Sequence, residues 1–445
     1  MASPINRRVF LKQSAAVSAA ALAGCSVGAG FKRETVILPP PRRGPNEELR
    51  VAIIGFRGRG NAHIVGHAKG KNVRIATLCD IDERLFGNGL KKVAEVAPDN
   101  PAPKTEFDLR RVMEDKSIDC VSISTPNHWH SLAAIWACQA GKDVYCEKPC
   151  SHNIFEGRKL VEAAAKYQRA VQHGTQNRSR PVIQKAMQLL HEGVIGDVYM
   201  ARGVCYRPRN SIGIKQDCPV PEGVHYDLWQ GPAPKRPFNP NRFHYEWHWN
   251  WAYGNGEIGN QGVHQMDIGI WGLGKDHTLP VKISSMGGRF TYEDQGQTAN
   301  TQVANFQYDD GKMMVFEVRG RPTNYEWDVR VGNLFYGSKG YMAIRGRSFE
   351  TVVDGKPGPT GNHDGIENIF TNFHEVVRNR KLEDLVAPIE VGHYASAHCH
   401  LANASYRLGR SLAFDPAKEK AVGDAAANAM LTRKYRAPYV VPNRV

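Results

Sequence analysis

Two textures of hydrophobic patterning divide the chain. From Arg50 it reads Val51-Ala52-Ile53-Ile54-Gly55, an unbroken apolar run of the kind found in a parallel strand buried on both faces. A glycine-rich turn and a helical stretch follow. Further strands are predicted at residues 73–78, 118–124, 143–146 and 170–173, and helices at 131–140, stopped by Gly141, and at 157–168. Strand and helix alternate through short connections, the signature of a doubly wound parallel sheet, so an N-terminal Rossmann domain is expected. Beyond about residue 177 apolar and polar positions alternate instead. A helix at 182–191 precedes strands expected at 197–206, 281–286, 301–308, 313–318, 327–332 and 340–344, with turns such as Asp309-Asp310-Gly311 between them. Helices at 365–378 and 393–408 complete an α+β domain with one mostly antiparallel sheet; residues 207–262 read as loop. The overall class is α/β.

The first residues are a different object. Asn6-Arg7-Arg8-Val9-Phe10-Leu11-Lys12 precedes an Ala-rich stretch to Ala23, the pattern of a twin-arginine export signal. Leu22-Ala23-Gly24-Cys25 then matches a lipoprotein cleavage box, with Cys25 as the lipidated first residue; cleavage at an ordinary small-residue site is the alternative. Pro39-Pro40-Pro41 and Arg42-Arg43-Gly44-Pro45 continue neither helix nor ladder. The expected division is a signal at 1–24, a tether at 25–48, the Rossmann domain at 49–176, a substrate and oligomerisation domain at 177–420 and a tail at 421–445. The protein is accordingly expected to be exported by the twin-arginine pathway to the periplasm and lipid-anchored there. It would touch membrane only through that anchor, because no other apolar run nears the roughly 20 residues of a spanning helix.

Charge and cysteine narrow the partners. The formal net charge is +14, but the basic residues are scattered without a run or a nucleic-acid motif, so no nucleic-acid partner is expected. Such a surface suits anionic lipid, cell wall or acidic polysaccharide. Apart from Cys25 the cysteines form no CxxC pair; Cys79, Cys120 and Cys138 lie in apolar stretches and read as buried thiols. Cys146 and Cys150 lack further ligands nearby, and no metal is expected.

Candidate chemistry gathers at the carboxyl ends of the first strands. Gly55-Phe56-Arg57-Gly58-Arg59-Gly60 stands between strand and helix, where a pyrophosphate meets backbone amides and a helix N-terminus; Arg57 replaces the usual second glycine. Asp80 ends the next strand about twenty residues on, placed to accept from the adenosine ribose hydroxyls and to repel a 2′-phosphate, so NAD is favoured over NADP. Ser124-Thr125-Pro126-Asn127-His128-Trp129-His130 and Glu147-Lys148-Pro149 follow two later strands. A lysine there can donate to a substrate hydroxyl or tune a neighbouring acid/base group.

These motifs make the chain similar to the Gfo/Idh/MocA family of glucose–fructose oxidoreductase and inositol dehydrogenase: Glu147-Lys148-Pro149 is the family's Glu-Lys-Pro, and Thr125 to His130 its Thr-Pro-Asn-x-x-His loop. The resemblance runs from Arg50 to about Arg410. It implies an open-faced C-terminal sheet that packs in homo-oligomers, and Lys148 as a catalytic residue beside the nicotinamide. It further implies cofactor contacts from Gly55, Arg57, Gly58, Gly60, Asp80, Thr125, Pro126, Asn127, His130, Glu147 and Lys148. In the family's dehydrogenases an Asp lies four residues before a catalytic His; here His264 matches and Asn260 replaces the Asp, so a charged relay is lost while His264 remains as acid/base. Substrate contacts are expected from Gln176, Arg178, Tyr206, Asn260 and His264. The segment Phe243-His244-Tyr245-Glu246-Trp247-His248 adds His244, Trp247 and His248, since aromatic faces stack on sugar C–H surfaces. His393, His398, His400 and Asn403 share a helix, one face of which could reach the site; a packed or surface face is the preferred reading.

The expected function is hydride transfer between NAD and a sugar, polyol or related small carbohydrate. The alternative is an NAD-dependent glycosidase that oxidises the sugar transiently, eliminates the aglycone and reduces the sugar again. Export favours that alternative, because an enzyme outside the cytoplasm must regenerate its cofactor within one cycle.

Overall fold

The computed structural model describes residue 44, residues 46–362 and residues 369–445; the expected signal, Cys25 and most of the tether lie outside them. The first apolar run is β1 (Leu49–Ile54), and the same βα alternation continues through α1 (Gly60–Ala68), β2 (Val73–Cys79), α2 (Phe86–Val96), β3 (Lys104–Glu106), α3 (Leu109–Glu114), β4 (Cys120–Ile123), α4 (Asn127–Gln139), β5 (Asp143–Cys146), α5 (Ile154–Tyr167) and β6 (Val171–His173). The six strands run parallel in the order β3-β2-β1-β4-β5-β6, reversing direction of travel between β1 and β4. A doubly wound sheet binds its ligand at that switch, beyond the carboxyl ends of the strands.

The chain then passes through α6 (Pro181–His191) and β7 (Val198–Cys205) to a second domain. Its elements are α7 (Tyr226–Gln230), α8 (Gly256–Asn260), α9 (Gly262–Gly272), β8 (Lys282–Gly288), β9 (Thr301–Gln307), β10 (Met313–Arg319), β11 (Val331–Gly337), β12 (Gly340–Arg345), β13 (Ser348–Val353), β14 (Lys356–Asn362), α10 (Ile369–Asn379), α11 (Ile389–Leu408), β15 (Leu412–Asp415), β16 (Lys420–Ala421) and α12 (Ala425–Met430). Ten strands form one sheet, β14-β13-β12-β11-β7-β10-β9-β8-β15-β16, antiparallel except for the parallel β7–β10 pair. Its inner face carries Ala201, Phe306, Met314, Phe316 and Phe335 against α9 and α11.

Several elements depart from expectation. The strand expected at 327–332 begins only at Val331, because Trp327 and Asp328 have φ of 49° and 56° and no strand passes through the left-handed region. β13 and β14 were not expected: Lys356-Pro357-Gly358-Pro359 has no strand signature, and it is tolerated because β14 is an edge strand. The loop-like stretch 207–262 contains α7 and α8. Residues 421–445 are no free tail. They include α12 and return to the first domain, where Tyr439, 3% exposed, meets Trp129 edge to face at 5.4 Å. Likewise Ile369, Phe373 and Val376 of α10 share a core with Leu49, Ile53 and Ile75. The parallel sheet is thus sealed by chain that comes after the antiparallel one.

Candidate active site

One cavity of about 530 Å³ opens at the carboxyl edge of the parallel sheet, between it and the segment 243–264. Its floor is the turn between β1 and α1. Gly55 has φ +79°, and a Cβ on it would lie 3.0 Å from the Ser124 carbonyl; one on Gly60 would lie 2.1 Å from the Gly55 oxygen. Only glycine closes this turn. A Cβ on Gly58, by contrast, would meet nothing within 4 Å, so the turn's open side faces the cavity.

Asp80, following β2, accepts from the Phe56 amide at 3.0 Å through Oδ2 and from the Asp82 amide at 3.2 Å through Oδ1. Burial pushes its carboxyl up to about 6, against the pull of those two N–H groups. It is therefore mostly ionised at neutral pH and stands in the cavity wall as an acceptor. The loop after β4 is tied to the one after β5 by His130, whose ring nitrogens lie 2.6 Å from the Pro149 carbonyl and 2.7 Å from the Thr125 carbonyl. Asn127, at the start of α4, turns its amide to Asn255 Oδ1 at 2.9 Å and so supports the wall from behind.

Glu147 and Lys148 follow β5, before a cis Lys148–Pro149 bond. Glu147 is buried and does not face a ligand alone: Oε1 accepts from Arg59 Nε at 2.7 Å and Gln176 Nε2 at 3.0 Å, and His63 Nε2 is 3.2 Å away. Burial works to raise this carboxyl but is outweighed by Arg59, His63 and Lys148, which hold it well below the usual carboxylate range. Lys148 Nζ donates to the Asn260 carbonyl at 2.6 Å and reaches its Oδ1 at 3.5 Å. Burial lowers the lysine, with Glu147 opposing and Arg59 assisting. His264, in the first turn of α9, is held well below its ordinary value by burial and then by the Lys148 charge, so its ring is neutral; Nδ1 has no hydrogen-bond partner among the described residues. A cation that donates and a neutral ring that accepts thus share one pocket.

The aromatic segment forms the roof. Trp247 stacks on His248 with centroids 3.6 Å apart, and both line the cavity. His248 Nδ1 donates to the Tyr245 carbonyl at 2.6 Å, leaving Nε2 as an acceptor. His244 also lines the cavity, but its Nε2 is 3.0 Å from Asp82, and its charged neighbours are Arg57, Asp82 and Arg84. It thus stands at the cavity wall beside Asp82.

Two further expected substrate residues are not brought here. Tyr206 continues β7 with its side chain buried on the face of the sheet turned away from α9 and α11, where its hydroxyl donates to Glu317 at 3.2 Å and Arg319 lies over its ring. Alternation decides this: Cys205 faces the helices, so Tyr206 cannot. Arg178 is buried against Asp267 at 2.8 Å and Asp276 at 3.3 Å and lies over Trp271, an ion pair within the fold. His393, His398 and His400 are packed as expected, against Glu419, Tyr308 and Ser151.

Other residues of the site escaped the sequence reading. Arg59 lies inside the quoted turn, and its pairing with Glu147 joins sites 88 residues apart. Glu257, 2% exposed, and Arg209 sit behind Asn260, their only local signal being the i, i+3 spacing of Glu257 and Asn260 on α8.

Together the fold and cavity define a nicotinamide-dinucleotide-binding α/β protein. NAD fits the residues present, with open space over Gly58, an acceptor at Asp80 and the start of α1 behind the turn. The chain belongs to the Gfo/Idh/MocA oxidoreductase family: residues 49–175 match its NAD-binding Rossmann fold and residues 210–441 its C-terminal alpha/beta domain. A glycosyl hydrolase family 109 protein of Shewanella sp. strain ANA-3 is 29% identical over 206 residues, 44% of each chain, so the match spans less than half of that relative's length. An alpha-N-acetylgalactosaminidase of Shewanella oneidensis is 28% identical over 37% of this chain and 38% of its own. Among solved structures, the aldose-aldose oxidoreductase of Caulobacter crescentus complexed with glycerol has a TM-score of 0.63 at 16% identity, over 82% of this chain and 100% of that one. A levoglucosan dehydrogenase with NADH and levoglucosan has a TM-score of 0.62 at 17% identity, over 85% and 100%. At such identities these two establish the fold.

Proposed function

We propose that this protein is an NAD-dependent oxidoreductase of a small carbohydrate, with Lys148 and His264 at the reacting hydroxyl. The observation that carries the reading is the shared cavity: the Asn260-held ammonium of Lys148 and the neutral ring of His264 line the same space as the Gly55–Gly60 turn and Asp80. The chemistry that bound NAD supplies is hydride acceptance and return. For a hydroxyl to be oxidised, its proton must leave; Lys148 donates a hydrogen bond to the oxygen and the neutral ring of His264 accepts the proton. Trp247 and His248 offer a flat face and an acceptor to a sugar ring.

A second reading is favoured by the glycosyl hydrolase family 109 relatives: net hydrolysis of a glycoside, with the sugar oxidised, stripped of its aglycone and reduced again. The purified protein, offered free sugars and aryl glycosides, separates the two. Accumulating NADH marks a dehydrogenase, and aglycone release without net NADH marks the hydrolase. Lys148→Ala is expected to abolish either activity with NAD still bound; full turnover in that variant refutes the assignment.

The twin-arginine pattern and Cys25 support an exported, lipid-anchored, periplasmic protein, which cell fractionation and the mass of the mature N-terminus test. The outward face of the ten-stranded sheet, where Met286 is 75% and Met313 39% exposed, supports a homo-oligomer formed through it.

A further inference from the structure

Where a carboxylate four residues before His264 is replaced by Asn260, a different carboxylate stands one helical turn behind. Glu257 and Asn260 share α8, and the Asn260 Nδ2 group donates to Glu257 Oε2 at 3.2 Å and to the Tyr245 hydroxyl at 3.4 Å. On its other side Asn260 presents two oxygens to Lys148 Nζ. A carboxylate only accepts and an ammonium only donates, so one orientation of the amide satisfies both neighbours and the flipped one satisfies neither. Glu257 is itself fixed: Arg209 reaches its Oε1 with Nη2 at 2.7 Å and its Oε2 with Nε at 3.1 Å, and also donates to the Tyr245 hydroxyl at 3.2 Å. Such forked pairing leaves a carboxylate little freedom.

We propose that Glu257 is a positioning residue, which sets the Asn260 amide and through it holds the Lys148 ammonium on two oxygens with its remaining hydrogen toward the cavity. Glu257 does not line the cavity, whereas Asn260, Tyr245 and Arg209 do, so it acts through Asn260 and not on substrate. This inference rests on the reading of Lys148 as the group at the reacting hydroxyl. It adds that the carboxylate missing from position 260 is replaced from position 257 by an indirect route. The charged and titratable groups around Lys148 are Glu147 on its own loop, Arg59 from the turn before α1, Glu257 from α8, His264 from α9, His248 from the roof, His130 from α4, His173 from β6 and Cys399 from α11. Of these, Glu147 and Glu257 support the cation and Arg59 opposes it.

Competitive labelling of the full-length protein with trace acetic anhydride across pH, read at Lys148 by peptide mass spectrometry, measures the lysine's titration without turnover. In Glu257→Gln the midpoint is expected to fall by at least about half a pH unit, roughly threefold more free amine at fixed pH. Asn260→Leu, which leaves the Glu257–Arg209 pair intact, is expected to move the same way, and Asn260→Asp the opposite way. If Glu257→Gln alone proves unstable because Arg209 is left unpaired, Glu257→Gln with Arg209→Gln serves in its place. A wild-type midpoint in the folded Glu257 variant overturns the proposal, as does a shift confined to the Asn260 variants. Protein that binds no NAD and turns over no sugar refutes the functional reading, while the labelling still reports whether Glu257 governs Lys148.

Discussion

Asp80 holds the Phe56 amide of the glycine turn with one oxygen and the Asp82 amide with the other, so one side chain both shapes the turn and lines the cavity. Asp80→Ala is expected to weaken NAD by about tenfold, the value of a charge-assisted hydrogen bond lost, and to bring NADP affinity close to that of NAD. Direct titration of both nucleotides checks this. Because burial raises the carboxyl to about 6, its accepting, ionised form is lost as pH falls through 6, and NAD affinity should drop between pH 7 and 5 in the native protein but not in Asp80→Ala. The proposed catalytic pair, Lys148 and His264, has a sign of its own. His264 must be neutral to accept a proton and Lys148 charged to donate, and both groups lie below their ordinary values. A plot of kcat/KM against pH should therefore be bell-shaped, with its acid limb below 6.5 and its basic limb below 10.5.

At the scale of elements, the tight turn and the edge strands show what local pattern carries. The β1 run, the Gly55–Gly60 turn and the strand ending at Asp80 were legible because each is a contiguous signal: apolar continuity, glycines at fixed offsets, an acidic stop. Gly60→Ala places a Cβ 2.1 Å from the Gly55 carbonyl and 2.8 Å from Ser124 Oγ, a backbone clash that no rotamer relieves. That variant is expected to lose NAD binding outright and to melt at lower temperature than the native protein, as calorimetry with and without NAD would show. β13 and β14 were not legible, since their pairing comes from β12 beside them and not from their own composition. The late start of β11 turns on the positive φ of Trp327 and Asp328, a left-handed backbone geometry that propensity does not encode.

In the whole molecule the two sheets are bound together by chain that crosses between them. α10 seals one side of the parallel sheet, residues 435–445 seal α4, and α11 brings Ser396 and His400 to Cys150 and Ser151, just past Lys148. The loop that carries Lys148 is thus braced by the last long helix of the second domain. Tyr439→Ala removes a ring packed on Trp129 and Trp136 and is expected to cost about 3 kcal/mol of stability, read as a lowered midpoint in urea.

The order of residues by itself determined the class of fold, the dinucleotide turn and the acidic end of β2 at Asp80, because periodicity, glycine spacing and strand ends are local properties; the placing of Lys148 and His264 in one site was implied by the family resemblance. Only the tertiary structure decided that Tyr206 and Arg178 lie away from the cavity, that His244 meets Asp82, and that Arg59 pairs with Glu147 and Glu257 with Asn260. Which way a side chain faces depends on which side of a sheet the helices cover, and which charges meet depends on how distant segments pack; neither is written in any short stretch of sequence.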